Sequence, residues 1–212
     1  MSRSRKQNAK SFKKSILIIC PGLTEKGYLS SMKVDRYKGL AIELEPKLGK
    51  ADKFNEVFRF LREEYSDPST ARICIYVNDM DTILSQRKTS EYLADKRRTQ
   101  KVSRDELKVI ETMPCIEYWF ILHDHYTDKY YPSYDSLKQD MKKIADNYEK
   151  NEHWAGKIYS VLKNNLTRAI QNAEKTMSKK DSCEGDCSYT NMHELVQLLD
   201  EIHRQNVHRK QP

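Results

Sequence analysis

The chain has 212 residues, which is enough for one large domain, or for one domain with a helical appendage, built around a proper hydrophobic core. Lys and Arg together number 38 against 31 Asp and Glu, so the formal net charge is +7 and a polyanionic partner is favoured. No apolar stretch approaches the length of a membrane span, and the first apolar run, residues 16–20, is too short for the core of a signal peptide. We therefore expect a cytoplasmic protein that makes no membrane contact.

Buried strands alternate with helices over the first part of the chain. Apolar runs predict strands, and they lie at residues 15–20, 40–44, 71–77 and 107–110. Apolar residues at helical spacing predict surface helices at residues 24–33 and 52–65 and a mostly buried helix at 116–123. Because strands that alternate with helices are joined by parallel crossovers, we predict a Rossmann-like α/β fold with a mostly parallel sheet of about four strands flanked by helices.

The last third of the sequence changes character. Apolar residues at helical spacing recur in three segments, at residues 135–148, 155–175 and 191–203. The polar residues 177–189 separate the last two segments, and we expect a mobile loop there. The predicted divisions are a flexible basic arm (1–14), an α/β core (15–130) and a C-terminal helical region that packs on the core (131–212).

The five cysteines are an odd number without the spacing of a disulfide framework, which suits a reducing compartment. Cys183 and Cys187 are close in sequence, and together with His193 they could bind zinc. A second close pair is absent from the sequence, so we do not predict a structural zinc site.

Asp79 and Asp81 follow the apolar run that predicts the third strand. In an open parallel sheet, ligands bind beyond the carboxyl ends of the strands, so both side chains are placed for function. If the extended conformation continues, residues two apart lean to the same side, and two hard oxygen donors there suit Mg²⁺ or Mn²⁺. The alternative is a loop in which Asp caps the following helix or makes an Asx turn.

A third carboxylate is expected at the same edge of the sheet. The turn after the first strand, Pro21 to Glu25, opens a helix there. Glu25 can therefore complete a metal site with Asp79 and Asp81 and leave positions for water and a phosphate oxygen. The alternative is that Glu25 only complements the dipole of its helix.

The predicted helix at residues 116–123 carries two further polar candidates. Glu117 lies in an apolar run, where a carboxylate is costly unless it is paired with Lys or Arg or binds a cation. His123 lies six residues later, outside the same-face spacing of three, four or seven, so a direct pair with Glu117 is not expected. His123 can instead end the helix, where a protonated His is favoured.

A second group of basic residues follows the two Asp residues in the sequence. It consists of Lys96, Arg97, Arg98, Lys101 and Arg104. This group could lie beside the same crevice and contact the phosphates of a nucleic acid, which would make binding strongly dependent on salt. The alternative is a solvated helix face.

Taken in order, three motifs resemble those of one protein family. PGLTEKGY from Pro21, YVNDMD from Tyr76 and PCIEYWFILH from Pro114 resemble the RloB-like family, which is related to the Toprim-type nucleases of phage-defence systems. The resemblance implies a Toprim-like core, divalent-metal phosphodiester chemistry on DNA or RNA, and an ATPase partner in abortive infection.

The resemblance also implies roles for single residues. Glu25, Asp79 and Asp81 match acidic positions of the family, and Glu117 and His123 match its later motif. The family typically has Glu directly before the glycine of the first turn, where this chain has Pro. Either Glu25 takes over from that missing Glu, or the site is weakened.

Together, these observations favour a Mg²⁺- or Mn²⁺-dependent nuclease that cleaves RNA such as tRNA, or DNA, as the effector of an antiviral system. The candidate catalytic residues are Glu25, Asp79, Asp81, Glu117 and His123, of which the first three would hold the metal. One alternative is a non-catalytic module that binds nucleic acid or docks on the ATPase, its metal site eroded at Pro21. Another is a metal-dependent phosphotransferase acting on small substrates, and a homo-oligomer is compatible with either.

Overall fold

The computed structural model of the protein describes residues 15–20, 22–45, 53–66, 72–103, 106–180, 182–183 and 186–208. The strands are β1 (Ser15–Ile19), β2 (Ile42–Glu45), β3 (Arg72–Asp79), β4 (Leu107–Met113) and β5 (Tyr189–Thr190). The first helices are α1 (Leu23–Arg36), α2 (Phe54–Ser66), α3 (Asp81–Ser85) and α4 (Thr89–Val102). The later helices are α5 (Glu117–Asp124), α6 (Tyr134–Ile144), α7 (Glu152–Leu162), α8 (Leu166–Lys180) and α9 (Met192–His208). The predicted α/β class with a C-terminal helical layer is therefore confirmed.

The strands form one mostly parallel sheet in the order β2-β1-β3-β4-β5. β1 lies between β2 and β3, and both pairs are parallel, as is the pair of β3 and β4. β5 runs antiparallel to β4, with Thr190 opposite Thr112. The sequence predicts about four strands, because β5 has two residues and is too short to produce a periodic pattern.

The sheet is buried on both faces. In β1, Ile16 and Ile18 pack on one face with α1 and the C-terminal helices, while Leu17 and Ile19 pack on the other face with α2. Successive strand residues point to opposite faces, so a strand covered on both sides needs an unbroken apolar run. This is why the run alone predicts the strand correctly.

α1 packs closely against α7 of the C-terminal layer. A Cβ atom at Gly27 would lie 2.5 Å from the carbonyl carbon and oxygen of Ala155, so glycine allows the two backbones to approach this far. At the same crossing the hydroxyl of Ser31 donates a hydrogen bond of 2.9 Å to the carbonyl oxygen of Gly156. This crossing fixes the position of α1, whose first turn carries Glu25.

The extended conformation does not continue from Asp79 to Asp81. Asp79 ends β3, Met80 has helical backbone angles (φ −88°, ψ −18°), and Asp81 begins α3. The condition that would bring both side chains to the same side of an extended strand is therefore not met.

The segment before α9 also differs from the expectation. The mobile loop predicted for residues 177–189 is wrong at its start, because α8 continues to Lys180. Cys183 and Cys187 form a disulfide. The single helix predicted for residues 155–175 is divided into α7 and α8 by a 3₁₀ turn at Lys163–Asn165.

Some predictions fall on parts of the chain that the structure does not describe. The basic arm (1–14), Pro21 and Arg104 lie outside the described residues, so what the sequence indicates about them stays a prediction. Within the described ranges, no helix is both long enough and apolar enough to span a membrane.

We predict opposite effects of alanine at two glycines, Gly27 of α1 and Gly156 of α7. Gly27→Ala should lower the free energy of unfolding by about 1–3 kcal/mol, because the new methyl group overlaps the backbone of Ala155 and forces α1 away from α7. Gly156→Ala has open space at its Cβ and should raise the free energy of unfolding by about 0.5–1 kcal/mol through helix propensity. Urea unfolding followed by circular dichroism measures both. A Gly27→Ala protein as stable as the wild type would contradict the close crossing.

Candidate functional site

A cavity of about 410 Å³ opens at the carboxyl ends of β1 and β3. The helices that follow these neighbouring strands cover opposite faces of the sheet, since α1 packs on one side and α3 on the other. Open α/β sheets bind ligands at such a reversal point. The polar residues that line the cavity include Gly22, Glu25, Lys53, Asn78, Asp79 and Lys88.

Glu25 lies in the first turn of α1 and is only 6% exposed. Its carboxylate folds back over Gly22, the residue before the helix, where a side-chain Cβ would overlap the carboxylate. Gly22 has extended backbone angles (φ −85°, ψ 147°) that other residues adopt readily. Glycine is therefore needed here for the space it leaves to Glu25.

Asp79, the last residue of β3, lines the same cavity. Its Oδ1 accepts a hydrogen bond of 3.0 Å from the backbone N–H of Ile116, which fixes the carboxyl group against the turn before α5. The carboxyl groups of Asp79 and Glu25 line the same cavity and lie close enough to act on each other electrostatically. Two carboxyl groups from different elements thus meet at the edge of the sheet.

The contact between these two groups changes their acidity. Burial raises the pKa of Asp79 well above its ordinary value, and the charges of Glu25 and Glu117 raise it further. Burial also raises the pKa of Glu25. Two like charges in contact favour the retention of one proton between them, and a bound cation removes the need for that proton. The pair is therefore suited to exchange a proton for a cation.

Glu117, in the first turn of α5, is fully buried and close enough to act electrostatically on the pair. Tyr148 donates a hydrogen bond of 2.9 Å to Oε1, and Nζ of Lys150 lies 3.1 Å from Oε2. The contact with Lys150 is an ion pair without hydrogen-bond alignment, because Oε2 has no hydrogen-bond partner among the described residues. The sequence leaves two alternatives for this buried carboxylate, pairing with Lys or Arg or binding a cation. The structure shows the pairing with a lysine.

Asp81 does not meet the other two carboxylates. Asp81 is not among the described residues that line the cavity. Its Oδ1 accepts hydrogen bonds from the backbone N–H and the hydroxyl of Thr82, at 2.6 and 3.2 Å. A role for Asp81 as a metal ligand stays a prediction and requires its side chain to turn away from Thr82.

His123 lies near the other end of α5, within the core. It is fully buried, with Nδ1 3.0 Å from the carbonyl oxygen of Trp119 and Nε2 3.5 Å from the hydroxyl of Tyr28. Burial lowers its pKa to about 4, so the imidazole is neutral at pH 7 and the alternative of a protonated helix cap does not hold. The structure does not bring His123 to the cavity, and its catalytic role stays a prediction.

The basic group on α4 is only partly exposed. Lys96 donates a hydrogen bond of 2.6 Å to the buried carboxylate of Glu111. Arg97 and Lys101 are exposed, and Arg98 lies 3.9 Å from an acidic neighbour. Contacts between this group and phosphates stay a prediction. Lys96 is the least available member, because its ammonium group is already bonded to Glu111.

No sequence pattern predicts that three lysines lie near the site. Lys53 and Lys88 line the cavity, and Lys150 pairs with Glu117. All three lie in polar segments, where lysine is common and produces no pattern. Asn78 also lines the cavity, and its place directly before Asp79 is a signal that could have found it.

The donor chemistry of the pair fits a divalent cation. Glu25 and Asp79 offer hard carboxylate oxygens from two rigid elements. Within the described ranges, no three side chains of His, Cys, Asp or Glu are grouped as a metal site would require. Mg²⁺ is commonly bound through one or two carboxylates together with waters and substrate phosphates, so two carboxylates are sufficient for it.

The fold and the site define an α/β protein with a mostly parallel sheet and a pair of carboxyl groups at its reversal point. A model of the RloB-like protein family matches residues 16–199. The chain therefore belongs to the RloB-like family. No curated protein and no solved structure matches the chain.

We predict that Asp79→Asn stabilises the metal-free protein. The amide keeps an acceptor for the N–H of Ile116 and can donate to Glu25, while it removes one of two carboxyl groups that repel each other. The free energy of unfolding near neutral pH should therefore rise, because the raised pKa of Asp79 destabilises the folded state there. Thermal unfolding of both proteins in EDTA measures the difference.

The pH dependence of this gain tests its cause. A carboxyl group whose pKa is raised by folding destabilises the folded state progressively as the pH rises through the raised value. The advantage of Asp79→Asn over the wild type should therefore grow as the pH rises above the ordinary pKa range of a carboxyl group. Asp81→Asn removes a carboxylate that bonds to Thr82 instead, and it should show no such growth. The same pH dependence in both variants would contradict a coupled pair.

Proposed function

We propose that the protein is a divalent-metal-dependent nuclease that hydrolyses phosphodiester bonds of RNA or DNA. The observation that carries the proposal is that the carboxyl groups of Glu25 and Asp79 line one cavity at the reversal point of the sheet. The cavity beside the pair, about 410 Å³, has the size of a small-ligand site. Lys53 and Lys88 in the same cavity supply positive charge for phosphate groups.

In this proposal Glu25 and Asp79 hold Mg²⁺ or Mn²⁺, which supplies charge stabilisation to the phosphate and a bound water of lowered pKa. The N–H of Ile116 orients the carboxyl group of Asp79, and Gly22 leaves the space that Glu25 occupies. Asp81 remains the candidate for a third ligand. Glu117 is paired with Tyr148 and Lys150 and acts electrostatically on Asp79, and its catalytic role stays a prediction.

The biological setting is part of the same proposal. The motifs resemble those of phage-defence nucleases, which supports a role as the effector of abortive infection together with an ATPase partner. The net charge of +7 is in keeping with a nucleic-acid substrate.

Cleavage assays test the activity. The protein, alone and with a candidate ATPase partner, is incubated with tRNA, single-stranded DNA and double-stranded DNA in Mg²⁺ or Mn²⁺. We expect cleavage that EDTA abolishes and that Glu25→Gln and Asp79→Asn reduce to background, because each removes a metal ligand. Glu152→Gln is the matched control, since Glu152 is an exposed carboxylate on α7 outside this cavity. Cleavage that is unaffected by Asp79→Asn would refute the proposal.

Calorimetric titration with Mn²⁺ tests the proton exchange at the pair. Burial raises the pKa of both carboxyl groups, so protons compete with the metal and the affinity should rise with pH. Binding should release about one proton per ion, seen as a dependence of the heat on the ionisation enthalpy of the buffer. Binding without proton release would show that the metal does not occupy the pair.

A second candidate is a non-catalytic module that binds nucleic acid or docks on the ATPase. Lys53 and Lys88 favour it, because lysines in the cavity can attract phosphate without a metal. This candidate requires binding that survives both EDTA and Asp79→Asn, with no cleavage under any condition. Metal-dependent cleavage by the wild type would exclude it.

A further inference from the structure

A second cavity, of about 400 Å³, lies against α6 and the segment that leads from α6 to α7. Its main lining residues are Tyr134, Lys138, Lys142, Tyr148, Glu149 and Lys150. Lysines therefore outnumber acidic side chains by three to one among these residues. We call this the lysine cavity.

Two of its lysines are not neutralised within the described part of the protein. Lys138 and Lys142 lie one turn apart on α6 and are exposed, and neither has an ion-pair or hydrogen-bond partner among the described residues. Lys143, on the same helix but not lining the cavity, lies 2.7 Å from Asp140. Like charges at this spacing repel each other by a few tenths of a kcal/mol, roughly, and a bound anion would remove that cost.

The third lysine links this cavity to the pair of carboxyl groups. Nζ of Lys150 lies 3.1 Å from Oε2 of Glu117 and 4.2 Å from the centroid of the Tyr134 ring, which holds the ammonium group in place. The charges of Glu117 and Lys150 both act on Asp79 and Glu25. Lys150 of the lysine cavity thus acts electrostatically on the carboxyl pair and contacts Glu117, which also acts on that pair.

We propose that the lysine cavity binds backbone phosphates of the nucleic-acid strand whose scissile bond lies at Glu25 and Asp79. This rests on the proposed function, because it assigns the path of the substrate into that site. Lysine binds phosphate as a point charge without reading sequence. The spacing of about 5–6 Å between side chains one helical turn apart lets Lys138 and Lys142 contact neighbouring phosphates of an extended strand.

Binding in EDTA tests this independently of cleavage. Fluorescence anisotropy measures the affinity of the full chain for single-stranded RNA and single-stranded DNA of equal length. Lys138→Gln with Lys142→Gln should weaken binding about tenfold at about 0.1 M salt. The slope of log K against log salt should become shallower by about 1.4, which is two phosphate contacts at about 0.7 each. An equal loss of affinity for RNA and DNA would show that the cavity binds the phosphodiester backbone that both share. A loss confined to one polymer would show that the cavity binds that polymer.

The matched control removes the same charge elsewhere on the surface. Lys143→Gln with Lys157→Gln takes two exposed lysines from α6 and α7 without touching the cavity, and it should change neither affinity nor slope by more than a small fraction. Equal weakening in both double variants would mean general attraction and would overturn the proposal. So would unchanged binding in the cavity variant, or a wild type that binds neither polymer.

Two further outcomes separate this proposal from its rivals. Polyglutamate that competes as well as unlabelled oligonucleotide at equal charge would assign the cavity to an acidic protein surface and overturn the nucleic-acid assignment. Absence of cleavage combined with the expected binding results would remove the nuclease proposal and leave the lysine cavity as the binding surface of a non-catalytic module.

Discussion

The contact between the carboxyl groups of Glu25 and Asp79 is the interaction on which the arrangement of the site depends. Two buried acids repel each other, so a structure that holds them together must resist their separation. The parallel pair of β1 and β3, covered on both faces, supplies the rigid base. Gly22 leaves the space for one carboxylate, and the N–H of Ile116 orients the other. The core therefore carries a local cost at neutral pH that a retained proton lowers and that a bound cation would remove.

Two lysines of this part of the fold pair with other buried acids and not with Glu25 or Asp79. Lys150 bonds to Glu117, and Lys96 to Glu111, so each of these lysines neutralises a different buried acid. A lysine bonded directly to Glu25 or Asp79 would occupy the place of a cation. Lys150 is held by Glu117 and by the ring of Tyr134. Its ammonium group therefore adds positive charge near the site, and the carboxyl pair stays free to bind a cation.

The parts of the structure that the sequence predicted are those with local causes. β1 follows from an unbroken apolar run, and the meeting of Glu25 with Asp79 follows from the rule that parallel strands end at one edge. The position of Asp81 was not predictable, because the turn at Met80 depends on the carbonyl oxygen of Pro114, which accepts hydrogen bonds of 3.1 Å from the N–H groups of Met80 and Asp81. The pairing of Glu117 with a lysine was one of two alternatives, and its partner lay 33 residues away, beyond the reach of any local pattern.

The outer edge of β4 is completed by residues far along the chain. β5 pairs with the end of β4, and next to it the side chain of Asn191 accepts a hydrogen bond of 2.7 Å from the N–H of Glu111 and donates one of 3.1 Å to the carbonyl oxygen of Val109. During synthesis, β4 leaves the ribosome about eighty residues before these partners do. An unpaired strand edge is a template for association with other chains. The nascent protein therefore passes through a stage in which the outer edge of β4 is unpaired. Fragments that stop before Asn191 keep this unpaired edge and remain prone to association.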